Sequence, residues 1–427
     1  MSRRRMTGIL AAAAVFIALV VGGAYLVAGP ADSDDVLHRL TGQQVEHAAQ
    51  VGSTVVLEHD GGQMSLLDLE SGDVRRTTAD VTAPWAAGRG GEVAFVAHTR
   101  DGGTSGFGVD GSLLWSSSAG ADVLAVLDDG TTVLRDCAVE RCDVWAVEPD
   151  GTERWSQSLL QWRIERLAWL DGSDWAWTPP DRALVRTRES VVDDEGDIRE
   201  DTEEDRASAE VQLLDPETGE GTTVGTGYAA LVGDAVVLID TTQGACDLTI
   251  LRDPDEAGTE LADACPGVRG EPELLVAGDN LIIRDEEEST EVLVPIGADT
   301  LVTPPEDLED VELSAAGLVG RDESGWAFGT NGDGTLTQHF DGDARLAATG
   351  QDTIAFTTDL SSWNPFSGGL VRHHILDPVT GETCARVDAT AEGSVVALPG
   401  CRAIVNDPSE GTAVLVGRAT PSEEAVG

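Results

Sequence analysis

Beyond residue 50 the chain alternates short apolar runs with turn residues. STVVLEHD (53–60), MSLLDLE (64–70), EVAFVAH (92–98), DVLAVLD (122–128), TTVLRD (131–136), DAVVLID (234–240), LTILRD (248–253), NLIIRD (280–285), DTIAFTT (352–358) and TAVLVGR (412–418) are examples. They are rich in Val, Ile, Leu and Thr and bounded by Gly, Asp and Pro, which is the pattern of short strands. No stretch after residue 50 sustains a helical period over several turns. The 49 glycines supply dense turns. The pattern predicts an all-β domain too long for a single sandwich.

The turns recur. ILDPVTGE (375–382), LLDPETGE (213–220) and LDLESGD (67–73) share one plan. In such a stretch Asp accepts hydrogen bonds from backbone N–H groups two residues on, Pro fixes φ, and Gly supplies the positive φ that closes the hairpin. Their acids therefore read as turn residues between the outer strands of successive units, not as a catalytic set. Turn markers fall near Asp68, Asp110, Asp150, Asp215, Asp253, Ala298, Asp333 and Asp377, mostly 38–45 residues apart. The long step from 150 to 215 contains VVDDEGDIREDTEEDR (191–206), an acidic insertion loop. A period near 40 with about four strands per unit is the signature of a β-propeller. Eight markers predict about eight four-stranded blades over 45–420, or seven if 273–303 is not a full unit. The tail strands at 394–418 are expected to complete the first blade with N-terminal strands.

The N-terminus is different. MSRRRMTG precedes a run without a charge from Gly8 to Gly29. A helix over 8–29 would be roughly 33 Å long, enough for a bilayer core of about 30 Å. Arg3, Arg4 and Arg5 precede it, and Asp32, Asp34 and Asp35 follow. The positive-inside rule then predicts a cytoplasmic stub (1–7), a transmembrane signal-anchor (8–29), a linker (30–44), the extracytoplasmic propeller (45–420) and a tail (421–427). The protein is expected in the cell membrane, single-pass, with its C-terminal domain outside. A cleaved signal peptide with a small-residue site at Gly29-Pro30-Ala31 is the second reading, and it gives the same compartment.

Charge sharpens this picture. The formal net charge is −50, the chain contains no lysine, and the part beyond residue 30 carries 24 Arg against 77 acids. Such a field argues against nucleic acid and anionic headgroups and favours cations and basic partners; because the acids are spread along the chain, it also reads as adaptation to salt or a codon bias toward Arg over Lys. The six cysteines fall in sequence-local pairs: Cys137 with Cys142, Cys246 with Cys265, Cys384 with Cys401. In an oxidising compartment this predicts disulfides, and neighbour pairing is the arrangement that staples hairpins or adjacent strands. No Cys-x-x-Cys occurs and no His lies near a pair, so a zinc site is not favoured.

GVDGSLLW (108–115) and AVEPDGTERW (146–155) place a Trp a few residues after the turn Gly. Together with LLDPETGE and ILDPVTGE they resemble the repeat of quinoprotein-type (PQQ-like repeat) propellers. The resemblance covers most of 45–420 as spacing and four or five units as readable motif. It implies that an Asp-x-x-Thr-Gly-x-x-x-Trp element docks each blade to the next. It also implies one of two functions, because the family holds quinone-dependent dehydrogenases as well as envelope propellers that bind no cofactor. The alcohol-oxidising members usually show two adjacent cysteines and a calcium ion over the channel. This chain has no adjacent Cys pair, and Asn331-Gly332-Asp333-Gly334 reads as a hairpin turn. PQQ with calcium belongs only to that alternative, and no cofactor is otherwise expected.

Little else carries chemistry. Gly-x-Ser-x-Gly and His-Glu-x-x-His are absent. His373 and His374 are adjacent on one predicted strand and so point to opposite faces, one packed and one exposed. GTGYAA (225–230) leads into a strand, so no helix N-terminus is available to a phosphate. Trp145, Trp155, Trp162, Trp169, Trp175 and Trp177 lie within 33 residues. They read as inter-blade packing, or, for Trp175 and Trp177 on one strand face, as a stacking wall for a sugar. In SSWNPFSGG (361–369), Trp363 and Phe366 sit in a loop broken by Pro365, which suits either a contact site or packing of the loop onto the propeller face. These features predict a non-catalytic binding or scaffolding module with a protein partner in the envelope. The alternatives are a quinone-dependent oxidoreductase and a carbohydrate-binding or sensor propeller.

Overall fold

The computed structural model describes residues 35–418 apart from 42–43, 60–61, 87–92, 100–101, 118–120, 139–140, 161, 167–179, 190–206, 242–245, 254–257, 266–267, 269–270, 286–290, 297–300, 303, 306–307, 331–335, 342, 351, 361–368 and 408–410. The predicted membrane span at 8–29 lies outside the described residues. Among those described, no helix is long and apolar enough to cross a membrane.

The chain is an all-β propeller. Strand β1 (Val36–Thr41) waits for the end of the chain. Blade 1 is β2 (Val45–Val51), β3 (Thr54–His59), β4 (Gln63–Asp68) and the first half of β5 (Val74–Ala86). The second half of β5 opens blade 2, with β6 (Val93–Thr99), β7 (Thr104–Gly108) and β8 (Leu113–Ser116). Blade 3 is β9 (Asp122–Val126), β10 (Thr132–Cys137), β11 (Arg141–Val147) and β12 (Glu153–Leu160). Blade 4 is β13 (Trp162–Arg166), β14 (Ala183–Glu189), β15 (Glu210–Leu214) and β16 (Gly221–Thr226). Blade 5 is β17 (Tyr228–Val232), β18 (Ala235–Asp240), β19 (Asp247–Leu251) and β20 (Thr259–Leu261). Blade 6 has three strands, β21 (Glu273–Ala277), β22 (Asn280–Arg284) and β23 (Glu291–Pro295), with Val302 bridged to Leu293 at its edge. Blade 7 is β24 (Glu309–Ser314), β25 (Gly317–Asp322), β26 (Gly325–Thr330) and β27 (Leu336–Asp341). Blade 8 is β28 (Arg345–Gly350), β29 (Thr353–Asp359), β30 (Leu370–Leu376) and β31 (Thr383–Thr390). Blade 9 is β32 (Val395–Leu398), β33 (Arg402–Asp407), β34 (Thr412–Gly417) and, as its outer strand, β1.

There are thus nine blades and not the expected eight. The tail strands do not complete the first blade; with β1 they build a blade of their own. The turn markers count hairpins between third and fourth strands. The closing blade has no such hairpin, because its fourth strand comes from the other end of the chain. The stretch expected as a linker at 30–44 therefore contains β1, whose alternating VLHRLT pairs with β34 from Val36↔Val416 to Thr41↔Thr412.

The core explains why the strands read as unbroken apolar runs. Every sheet is covered on both faces by its neighbours, so both sets of alternating side chains are buried. In β3, Val55 and Leu57 pack toward blade 9 while Val56 packs toward blade 2. Nine hydrophobic clusters occupy the nine blade-to-blade contacts. The one between blades 9 and 1 joins Leu40, Leu398, Ile404 and Leu415 to Val55, Leu57 and Leu67 and closes the ring.

The topology gives the disc two faces. Turns joining first to second and third to fourth strands lie on one face, here called the turn face. Hairpins joining second to third strands, and the links between blades, lie on the opposite face. The register of blade 9 fixes where the chain enters. Val36 is level with Val416, and Arg402, just after a first-to-second turn, is level with Gly417. The first described residue, Asp35, is therefore at the turn face.

All three neighbour disulfides form. Cys137–Cys142 joins facing residues of the β10–β11 hairpin. Cys246–Cys265 ties the start of β19 to the segment after β20. Cys384–Cys401 crosses from blade 8 to blade 9 at the turn face.

Candidate functional site

The recurrent turns are built as their residue types predict. The Asp215 carboxylate accepts the N–H groups of Glu217 and Thr218 at 3.0 and 2.9 Å and the Thr218 hydroxyl at 3.0 Å. Gly219 closes the turn at φ 73°. Asp377 repeats this with Val379 and Thr380, and Asp68 with Glu70 and Ser71. These N–H donors hold the Asp68 and Asp215 carboxyls below the usual carboxylate range. Asp110 and Asp150 are lowered chiefly by the hydroxyls of Ser112 and Thr152.

The same turns dock neighbouring blades. The Trp155 indole N–H donates to the Pro216 carbonyl at 3.0 Å, and its ring lies against Gly219, where a Cβ would come within 2.5 Å of it. Only glycine fits that approach. Gln338 on β27 donates to the Val379 carbonyl at 3.2 Å, from blade 7 to blade 8. His38 on β1 meets the Leu69 carbonyl at 2.9 Å, from blade 9 to blade 1. Three different residue types thus fill one docking position. The Trp at that position was legible in AVEPDGTERW; the Gln and His were not, because neither carries a motif signature. Beside Trp155, Arg154 ties three acids together: Glu148, Asp129 at 2.8 Å and Glu217 of the next blade at 3.5 Å.

Among the described residues, one concave feature is the channel. A cavity of about 400 Å³ is lined by first strands of blades 1, 6, 7, 8 and 9, with Arg284 reaching it from β22. Its polar groups are Glu46, His47, Arg284, Glu312, Ser314 and Thr349. The Glu312 carboxylate accepts the Thr349 hydroxyl at 2.6 Å. Leu275, Val276 and Val396 supply apolar wall. This volume falls in the range of small-ligand sites. A second cavity, of about 550 Å³, lies beside blade 5 and includes Tyr228, Asp240, Asp247 and Glu260.

The adjacent histidines are both packed, not one packed and one exposed. His373 is 2% exposed and its Nδ1 meets the Thr357 hydroxyl at 2.7 Å. His374 meets the Thr358 hydroxyl at 3.1 Å and sets its ring edge against Phe340 of blade 7. Sheet faces that expose one side in a sandwich are covered on both sides in a ring. Burial lowers both imidazoles to about 4.

Trp363 and Phe366, Trp175 and Trp177, and the 331–334 turn lie outside the described residues. The GTGYAA stretch passes from β16 into β17 through Gly227 at φ 91°, strand to strand as expected. Among the described residues, no group of three or more His, Cys, Asp or Glu could hold a metal ion.

No family model and no curated protein matches this sequence. Among solved structures, the chain is similar to BamB from Moraxella catarrhalis at 14% identity and a TM-score of 0.36, over 88% of this chain and 99% of that one. It is similar to the Dos1 propeller at 8% identity and 0.41, over 90% and 94%. Saccharomyces cerevisiae Sqt1 matches at 10% identity and 0.37, over 90% and 99%.

Proposed function

We propose that the chain is a non-catalytic binding or scaffolding propeller, anchored in the cell membrane through residues 8–29, with the ring on the extracytoplasmic side. The observation that carries this reading is the rigid closed ring around a ligand-sized channel. Its turn aspartates are spent on hairpins and its docking residues on blade contacts, which leaves the channel and the loops to meet a partner. The three disulfides support an oxidising compartment. Trp155 against the Pro216–Gly219 turn supports a quinoprotein-like repeat. Trp363 and Phe366 are the proposed contact residues, and the partner is a protein of the envelope.

The test is recovery of the full-length protein from gently solubilised native membranes, with mass spectrometry of what accompanies it. A partner in near-equal amount, lost with Trp363→Ala plus Phe366→Ala, is the expected result. A protein recovered alone overturns the scaffold reading. The quinone-dependent alternative is then tested by dye reduction with quinone and calcium over alcohols and sugars.

A further inference from the structure

Resting on the proposed membrane anchor, the topology assigns the two faces of the disc. Asp35 lies at the turn face and is held there. Its carbonyl accepts the Gly417 N–H at 3.2 Å, and its carboxylate accepts the Arg386 N–H at 3.0 Å. Two residues before Arg386, Cys384 is bridged to Cys401 of blade 9. Arg418 pairs with Glu382 at 3.1 Å on the same rim. The chain therefore leaves the ring from a braced point on blades 8 and 9. Only residues 30–34 separate Asp35 from the apolar span. Five residues reach at most about 18 Å.

We infer that the turn face is directed toward the bilayer and that the opposite face is the surface presented to partners. A tether this short cannot carry the chain around the rim of the disc. The orientation rests on the tether; charge bears only on how closely the disc approaches the lipid. The turn face displays Asp68, Asp110, Asp150 and Asp215, whose hydrogen bonds keep them ionised. Anionic headgroups repel such a surface over a Debye length of about 8 Å. The disc therefore stands off the lipid and does not lie on it. The opposite face carries the strand ends at Cys137, Glu210, Asp359 and Leu370 and one mouth of the channel, where Glu46 and Arg284 lie. With a chain charge of −50, the partner that fits is an extracytoplasmic protein offering basic side chains, not a lipid surface.

Strand β4 provides the test. Gln63 at one end is on the partner-facing side and Glu70, just past the other end, is on the turn face; both are exposed. They lie at opposite ends of the six-residue strand β4, about 20 Å apart. All six native cysteines are in disulfides, so Gln63→Cys and Glu70→Cys each add one free thiol for a fluorophore under non-reducing conditions. Full-length protein is reconstituted in liposomes carrying headgroup-quencher lipid, and unchanged circular dichroism establishes that each variant is folded. The expected result is the larger loss of fluorescence at position 70. Equal loss, or the larger loss at position 63, overturns the orientation while the anchor stands. Failure of the wild-type chain to float with the liposomes overturns the anchor itself, and the orientation with it.

Discussion

The His38 imidazole meets the Leu69 carbonyl at 2.9 Å, joining the first described strand to the first turn across the seam of the ring. Gly72 in that turn has φ 75°, and a Cβ there would strike the His38 ring. Closure therefore uses the docking position that Trp155 fills between blades 3 and 4. His38→Ala is expected to cost about 1 kcal/mol for the hydrogen bond. Gly72→Ala is expected to cost roughly 1–3 kcal/mol, since it adds left-handed strain to a clash. Urea unfolding of the two variants checks this. A Gly72→Ala protein as stable as wild type would show that the seam does not depend on that approach.

The Trp155 contact predicts a larger effect. Its ring is buried between blades 3 and 4, and its N–H has a fixed partner in Pro216. Truncation to Ala is expected to cost roughly 3–5 kcal/mol. Trp155→Phe keeps most of the packing and loses the hydrogen bond, so its loss should be distinctly smaller. Equal losses for Ala and Phe, measured by thermal unfolding, would mean that the hydrogen bond and not the packing carries the contact.

The disulfides differ in what they restrain. Cys384–Cys401 spans 17 residues and links two blades, whereas Cys137–Cys142 spans 5 within one hairpin. Loop-entropy arguments give about 3 kcal/mol for a loop near the longer size. Replacing Cys384 and Cys401 with Ser should raise amide exchange in β1 and β34, next to the bridge. Replacing Cys137 and Cys142 should leave those strands protected. Unchanged exchange in β1 after loss of Cys384–Cys401 would remove the bridge from any role in holding the closing blade.

Much of this architecture was legible. Short apolar runs, a period near 40 and Asp-x-x-Thr-Gly turns lead to a propeller, and the cysteine spacing leads to the three pairs. The ninth blade was hidden because its strands lie at opposite ends of the chain, so no local pattern unites VLHRLT with TAVLVG. The docking roles of His38 and Gln338 were hidden for a related reason. A single polar residue on a strand carries no signature until its neighbouring blade is in place. The channel wall is likewise gathered from five blades, and only ring closure brings Glu46 and Glu312 to one cavity.

The histidine pair predicts a pH window. Burial is the largest cause in both cases and lowers His373 and His374 from 6.5 to about 4. For His373, the charges of His374 and Asp388 act in opposite directions; for His374, Arg386 and Arg372 lower the value while Asp388 raises it. The unfolded chain binds these protons at higher pH than the folded one. Stability is therefore fully present above the unfolded value and falls as pH drops from about 6.5 to about 4. A shift of this size in one buried histidine corresponds to roughly 3 kcal/mol. The turn aspartates act in the same direction further down the scale: because their folded values are lowered, their contribution is present above the ordinary carboxylate value of 3.8 and is lost as pH falls below it. His373→Gln, which retains a partner for the Thr357 hydroxyl, should flatten the fall between pH 6.5 and 4. The check is the urea midpoint of wild type and variant across that range. Parallel curves would show that protonation of His373 does not set the acid limit of the ring.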